Sequence, residues 1–164
     1  MISDVLTVCH GNLCRSPMAA ALLRHRLAGV RVRSAGLAAE VGQPAEAKAI
    51  AALSEIDIDI RAHRATQFTR ELGNEAQLIL TMTEAQKRSI ESLYPLMRGR
   101  VFSIRSFDDA DIDDPMGLSI AAFRTCRTAL LGGVDYWVLK LTKLTGQSRD
   151  SAGSNAVSID GDKW

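Results

Sequence analysis

Near its start the chain runs Val5-Leu6-Thr7-Val8 straight into Cys9-His10-Gly11-Asn12-Leu13-Cys14-Arg15, and then into Ser16-Pro17. The β-branched apolar run predicts a buried strand. Ser16 followed by Pro17 predicts a helix start, with Ser16 as N-cap and Pro17 at the first helical position, where a missing N–H costs nothing. Residues 18–27 carry apolar side chains at helical spacing. A strand, a short loop and a helix in that order open a parallel β-α-β unit. The alternation then repeats. Strands are expected over residues 30–34, 77–81 and 100–104, and helices over 45–53 and 83–93, the latter capped by Thr83. A last long helix is expected from Met116 or Gly117, with Leu118, Ala122, Cys126, Leu130, Val134, Trp137 and Leu141 on one stripe. Gly132-Gly133 is placed to loosen or bend it. The expectation is a single α/β domain over residues 1–144, with a central four-stranded parallel sheet flanked by helices on both faces. Residues 145–164 are rich in Ser, Gly, Asp and Asn and are expected to form a polar, mobile tail.

Composition narrows the classes of function. At 164 residues there is about one domain's worth of chain. The formal net charge of +1 gives no field that would draw the protein to nucleic acid or an anionic membrane. No apolar run approaches the ~18 residues of a membrane span, so no membrane insertion is expected. Three cysteines are too few for a secreted disulfide framework, which points to a cytoplasmic setting.

In a parallel sheet, ligands sit beyond the carboxyl ends of the strands, so chemistry is expected first in the loop from Cys9 to Ser16. A strand-to-helix turn offers successive backbone N–H groups and the positive end of a helix dipole, which suits a phosphate. Gly11 is expected to supply a positive φ and a close approach to the ligand, and Asn12 tolerates the same region. Arg15 adds a planar fork for two phosphate oxygens. The nucleotide-binding loop is excluded, because its Gly-Lys-Ser/Thr is missing. What stands at the base of this cradle is a thiol, and a thiol beside cations and a helix N-terminus ionises readily and attacks phosphorus in line. The plainer alternative makes Cys9 and Cys14 small buried hydrophobes in a structural turn.

Val8 to Pro17 resembles the signature of the low-molecular-weight protein tyrosine phosphatases. The resemblance continues through Ser34-Ala35-Gly36, His63-Arg64-Ala65, Leu78-Ile79-Leu80-Thr81-Met82 and Asp114-Pro115. Ser34-Ala35-Gly36-Leu37 and Met97-Arg98-Gly99-Arg100-Val101 are most similar to bacterial members encoded with capsule and exopolysaccharide machinery. This resemblance implies Cys9 as nucleophile, Arg15 as phosphate ligand, and a phosphate-binding loop that includes His10, Gly11, Asn12, Leu13, Cys14 and Ser16. It implies that Asp114, the Asp before Pro, is the general acid, with neighbouring Asp113 as fallback. It also implies that Asn12, Ser34 and His63 brace the loop, and that Ser16 donates to the Cys9 sulfur. Relatives often carry Arg where this chain has Thr66. Cys14 either packs or traps an oxidised Cys9 as a disulfide, while Cys126 is expected in the core. Relatives place aromatics after Asp-Pro as a wall beside the tyrosine ring; this chain has Met116-Gly117, implying a shallower pocket.

Two rivals share the scaffold. Arsenate reductases need two further cysteines after the third strand, and residues 80–93 hold none. Protein-arginine phosphatases tend to carry Thr where Leu13 stands. A phosphoprotein-binding module without turnover would need neither Cys9 nor Asp114. The acidic loop does not match a calcium loop, since Asp114 stands where Gly is required and Ile120 where the last Glu is required. No metal or organic cofactor is expected. The implied partner is a phosphotyrosine protein, a membrane tyrosine autokinase, with the enzyme itself monomeric.

Overall fold

The structure, a computed structural model, describes the backbone of residues 1–150 and the side chains of residues 1–144. Four parallel strands form one sheet: β1 (Asp4–Cys9), β2 (Arg31–Gly36), β3 (Leu78–Thr81) and β4 (Val101–Ser103), in the order β2-β1-β3-β4. The register pairs Val5 with Val32 on one side and with Leu78 on the other, and Ile79 with Val101. Successive side chains of a strand point to opposite faces. Val5, Leu78 and Leu80 therefore join a large core with Met18, Leu22 and Leu23 of α1 (Arg15–Arg26), Leu53 of α2 (Ala47–Ser54) and Phe123, Leu130 and Trp137 of α5 (Ile120–Asp150). Leu6, Val8, Ile79 and Val101 face a smaller core with Phe68, with Ala76 just past α3 (Arg70–Glu75), and with Ile90 of α4 (Glu84–Leu93). Helices thus cover both faces, and the first strand delivers its carboxyl end to the middle of the sheet.

Several boundaries differ from expectation, each for a physical reason. Helix α1 starts at Arg15 with Cys14 as N-cap, not Ser16. The Ser16 hydroxyl is engaged by Cys9 and Asn12, so it caps nothing and leaves the first-turn amides open. Pro17 still lies in the first turn, where no N–H is required. Thr83 does cap α4, in a reciprocal capping box with Gln86.

Helix α5 begins at Ile120 rather than at 116 or 117. The Leu118 N–H closes a turn on the Pro115 carbonyl at 3.0 Å, and Gly117 takes φ +75°. Leu118 is consequently exposed, and Phe123 fills the stripe ahead of Cys126. Gly132-Gly133 does not break the helix. A Cβ on Gly133 would meet the Ile104 carbonyl oxygen at 2.9 Å, so the glycine lets α5 lie against the end of β4. Trp137 fastens the same place, donating its indole N–H to the Ile104 carbonyl at 3.0 Å. The expected domain boundary at 144 falls inside α5, so the expected tail of residues 145–164 begins as helical backbone up to Asp150, and the remainder lies outside the described residues. Helix α3, with Thr69 as its cap, was not expected.

Candidate active site

Cys9 is the last residue of β1, only 2% exposed, at the floor of a cavity of about 120 Å³. His10, Gly11, Leu13, Cys14 and Arg15 line its sides, with Glu40, Asp114 and Met116 at the mouth. The loop's carbonyls are all held from outside. Cys9, His10, Gly11 and Leu13 accept from the N–H groups of Leu37, Ala38, Glu40 and Glu46 at 3.0, 2.9, 3.3 and 3.0 Å. Asn12 accepts from His63 Nε2 at 2.7 Å. Across a trans peptide the carbonyl and the following N–H point in opposite directions, and no peptide here is cis. Holding five carbonyls outward therefore turns the next five N–H groups toward the cavity. The uncapped N-terminus of α1 adds its positive dipole end. This is an anion cradle built from main chain.

The residue that bends the loop is Asn12, at φ +58°; Gly11, expected in that role, has no positive φ. A Cβ on Gly11 would meet no protein atom closer than Leu13 Cγ at 3.9 Å, so packing within the chain does not require glycine there. Asn12 earns the position through its side chain. Its amide Nδ2 donates to Ser16 Oγ at 2.8 Å and Ser34 Oγ at 3.0 Å, and its Oδ1 accepts from the Thr66 N–H at 2.8 Å. Because only the Thr66 backbone takes part, the loss of the relatives' Arg at that position leaves the brace intact. The glycine that close packing does require is Gly36. A Cβ there would meet the His10 carbonyl oxygen at 2.5 Å and Asn12 N at 2.9 Å. Ser34, Ser16 and His63 thus all meet at Asn12. A carbonyl can only accept, so His63 carries its proton on Nε2. Burial, with Arg24 and Arg64 nearby, holds the His63 imidazole below its ordinary value despite the bond to Asn12.

Ser16 Oγ lies 2.8 Å from Cys9 Sγ and 3.3 Å from the Ala35 carbonyl oxygen. The hydroxyl has one proton and two acceptors, so a sulfur anion would draw that proton to itself. Cys14 is buried, and burial together with the Asp114 and Glu46 carboxylates pushes its thiol up. Cys126, in the core as expected, is pushed up to about 12 by burial, against the pull of the Arg15 guanidinium.

Arg15 is 6% exposed, and its Nη1 donates to the Ile112 carbonyl at 3.0 Å. Its Nη2 lies 3.6 Å from Asp114 Oδ2. Ile112 has a fully buried side chain, and its N–H bonds the Met82 carbonyl at 2.9 Å. A lone isoleucine among five aspartates thereby pins the acidic loop to the core, a role the sequence reading missed. Asp114 accepts from the Met116 N–H at 3.1 Å, which aims the carboxylate back toward the cup. The other acids turn away: Asp108 pairs with Arg105, Asp111 accepts from the Glu84 N–H, and Asp113 does not line the cavity. Glu40, also missed, does line it. A larger cavity of about 460 Å³ lies beside His63, against Arg24 and Asp59, and is lined by no cysteine, serine or threonine. Among the described residues no group of three or more His, Cys, Asp or Glu side chains is placed to hold a metal ion.

Known proteins are similar to this chain in sequence and fold. The family described as low molecular weight phosphotyrosine protein phosphatase matches residues 4–148. A Ralstonia solanacearum protein, the probable low molecular weight protein-tyrosine-phosphatase EpsP, is 46% identical over 144 residues, covering 88% of this chain and 99% of its own. The solved structure of YwlE arginine phosphatase from Geobacillus stearothermophilus superposes with a TM-score of 0.84 at 37% identity, over 88% of this chain and 96% of that one. The tyrosine phosphatase Wzb from Escherichia coli, solved in complex with sulphate, superposes with a TM-score of 0.82 at 32% identity, over 86% of this chain and 99% of that one. The anion cradle, its cysteine and its aspartate thus sit in a chain that belongs to the low molecular weight phosphotyrosine protein phosphatase family.

Proposed function

We propose that the protein hydrolyses phosphotyrosine in a cytoplasmic exopolysaccharide or capsule system, through a cysteinyl-phosphate. The phosphate enters the cup, its oxygens bound by the N–H groups of the loop and by the Arg15 fork. Cys9 Sγ attacks phosphorus as the bond to the phenolic oxygen breaks, and Asp114 gives that oxygen its proton. Ser16 then stabilises the sulfur as a leaving group. Asp114, now a carboxylate, takes a proton from the water that attacks the cysteinyl-phosphate, which releases inorganic phosphate and restores Cys9. Neither step calls for a metal or an organic cofactor.

One observation carries this reading: a buried Cys9 sulfur at the floor of the amide cup, with Asp114 Oδ2 at 3.6 Å from the Arg15 guanidinium. A phosphoprotein-binding module would need neither group. Turnover of an aryl phosphate that disappears in Cys9→Ser is the expected result, and turnover that survives the substitution overturns the mechanism. The EpsP and Wzb relatives, named protein-tyrosine-phosphatases, support a phosphotyrosine protein as partner; a membrane tyrosine autokinase is the partner proposed, and a monomeric enzyme is sufficient for the chemistry. Substrate trapping with Asp114→Ala, followed by identification of the retained phosphoprotein, tests the partner.

A second reading is favoured by the likeness to an arginine phosphatase. Leu13 stands against it, since its apolar side chain lines the cup and offers a guanidinium no acceptor. Parallel assays on phosphotyrosine and phosphoarginine peptides decide between the two. Arsenate reduction is disfavoured because Cys126 is buried in the core and Leu80 to Leu93 contains no cysteine. Cys14 is close enough in sequence to condense with an oxidised Cys9, forming a disulfide and releasing water. Its raised thiol makes that step slow at neutral pH. Peroxide-inactivated enzyme should regain activity with a dithiol reductant, and the protection should vanish in Cys14→Ser; equal recovery in that variant assigns Cys14 to packing alone.

A further inference from the structure

The cup is shaped for a dianion, yet its mouth carries an acid with no partner. Glu40 lines the cavity together with Cys9, Arg15 and Asp114. Its N–H bonds the Gly11 carbonyl at 3.3 Å, and the Gln43 N–H closes a turn on its own carbonyl at 3.1 Å. The residue is therefore fixed beside the phosphate loop. Among the described residues its carboxylate has no hydrogen bond or ion pair. The other ionisable groups at the cup are Asp114, held near Arg15, and His10, Cys14 and Cys9 itself. Arg15 is occupied by the Ile112 carbonyl and by Asp114.

An unpaired carboxylate beside an incoming dianion is unfavourable, unless the substrate brings a cation of its own. Val41 and Met116 are exposed on the two loops that flank the mouth, and apolar side chains there suit the aliphatic stem of a lysine or arginine. We propose that Glu40 is a specificity-determining residue that selects phosphotyrosine flanked by Lys or Arg, pairing with the substrate's cation as the phosphate enters the cup. This inference rests on the phosphatase reading and adds to it the charge class of the substrate.

The test compares kcat/KM for two phosphotyrosine peptides of equal length, one flanked by Lys and one by Glu, in wild type, Glu40→Gln and Glu40→Lys. Turnover of p-nitrophenyl phosphate by each protein serves as the reference. The wild type is expected to favour the Lys peptide by about two- to fivefold, the range of an exposed ion pair. The preference should fall to one in Glu40→Gln, invert in Glu40→Lys, and shrink at high salt. A wild-type ratio of one, or a ratio that persists in Glu40→Gln, overturns the inference while leaving the phosphatase intact. Failure of the wild type to turn over p-nitrophenyl phosphate overturns the phosphatase reading, and this inference with it.

Discussion

Asn12 shows how much a single side chain can decide. Its left-handed backbone turns the phosphate loop, and its amide ties together Ser16, Ser34 and Thr66 while its carbonyl receives His63. Asparagine tolerates that conformation and offers both donors and an acceptor, whereas glycine would offer the conformation alone. In the proposed mechanism Asp114 is the proton donor. Tyrosine's phenol has a pKa of about 10, so its departure needs a proton. Asp114→Asn should lower kcat on phosphotyrosine by about 10²–10⁴-fold. It should have far less effect on an aryl phosphate whose phenol is strongly acidic; an equal loss on both leaving groups removes Asp114 from the acid role. His63 makes a prediction of opposite character, about stability. Its folded value lies below the unfolded 6.5, chiefly through burial, so the folded state binds fewer protons at this site. The stability tied to the neutral imidazole is present above pH 6.5 and is lost as pH falls through the window between the unfolded and folded values. Urea midpoints measured from neutral pH downward should fall more steeply in wild type than in His63→Gln, and parallel curves would refute this account.

At the scale of elements, α5 and the end of β4 approach so closely that two adjacent glycines have different roles. A Cβ on Gly133 would strike the Ile104 backbone, while one on Gly132 would meet the end of the Arg105 side chain at 2.7 Å. Backbone cannot yield cheaply, and a long side chain can. Gly133→Ala should therefore destabilise by about 1–3 kcal/mol, the usual cost of overpacking. Gly132→Ala should be near neutral or slightly stabilising, through helix propensity; chemical denaturation of the pair checks the contrast. The same junction marks the limit of what sequence could reveal. The glycine pair reads locally as a weak point, because its partner at Ile104 is distant in the chain. Strands and long helices were legible because Leu78 to Thr81 is a continuous apolar, β-rich run and the stripe from Cys126 to Leu141 has helical spacing. The loop that forms the cup was legible from Cys9 and Arg15, which line the same cavity. Gly36, Ile112 and Glu40 were not, since each acts on a segment that only the tertiary fold brings near. Ser16 was misplaced as a cap because a hydroxyl's preferred partner depends on a sulfur seven residues away in sequence.

For the whole molecule, the cup is where the pieces join. The β1 loop supplies the amides, the chain after β2 holds that loop's carbonyls, and the acidic loop reaches it through Arg15 and Ile112. A bound oxyanion bridges these segments and has no comparable site in the unfolded chain. It should therefore stabilise the protein by mass action, by about 2.7 kcal/mol at a hundredfold excess over its Kd. For a domain of this length that corresponds to a rise in Tm of roughly 5–10 °C. Phosphate and sulfate should both produce it, and chloride at equal ionic strength should not. Cys9→Ser should retain the shift, because the thiol supplies chemistry while the amides and Arg15 supply affinity. Arg15→Lys should lose most of it, since an ammonium is a point charge and cannot serve the Ile112 carbonyl and two phosphate oxygens in one plane. A shift that survives Arg15→Lys undiminished would place the anion elsewhere, with the cavity between Arg24 and His63 the first place to look.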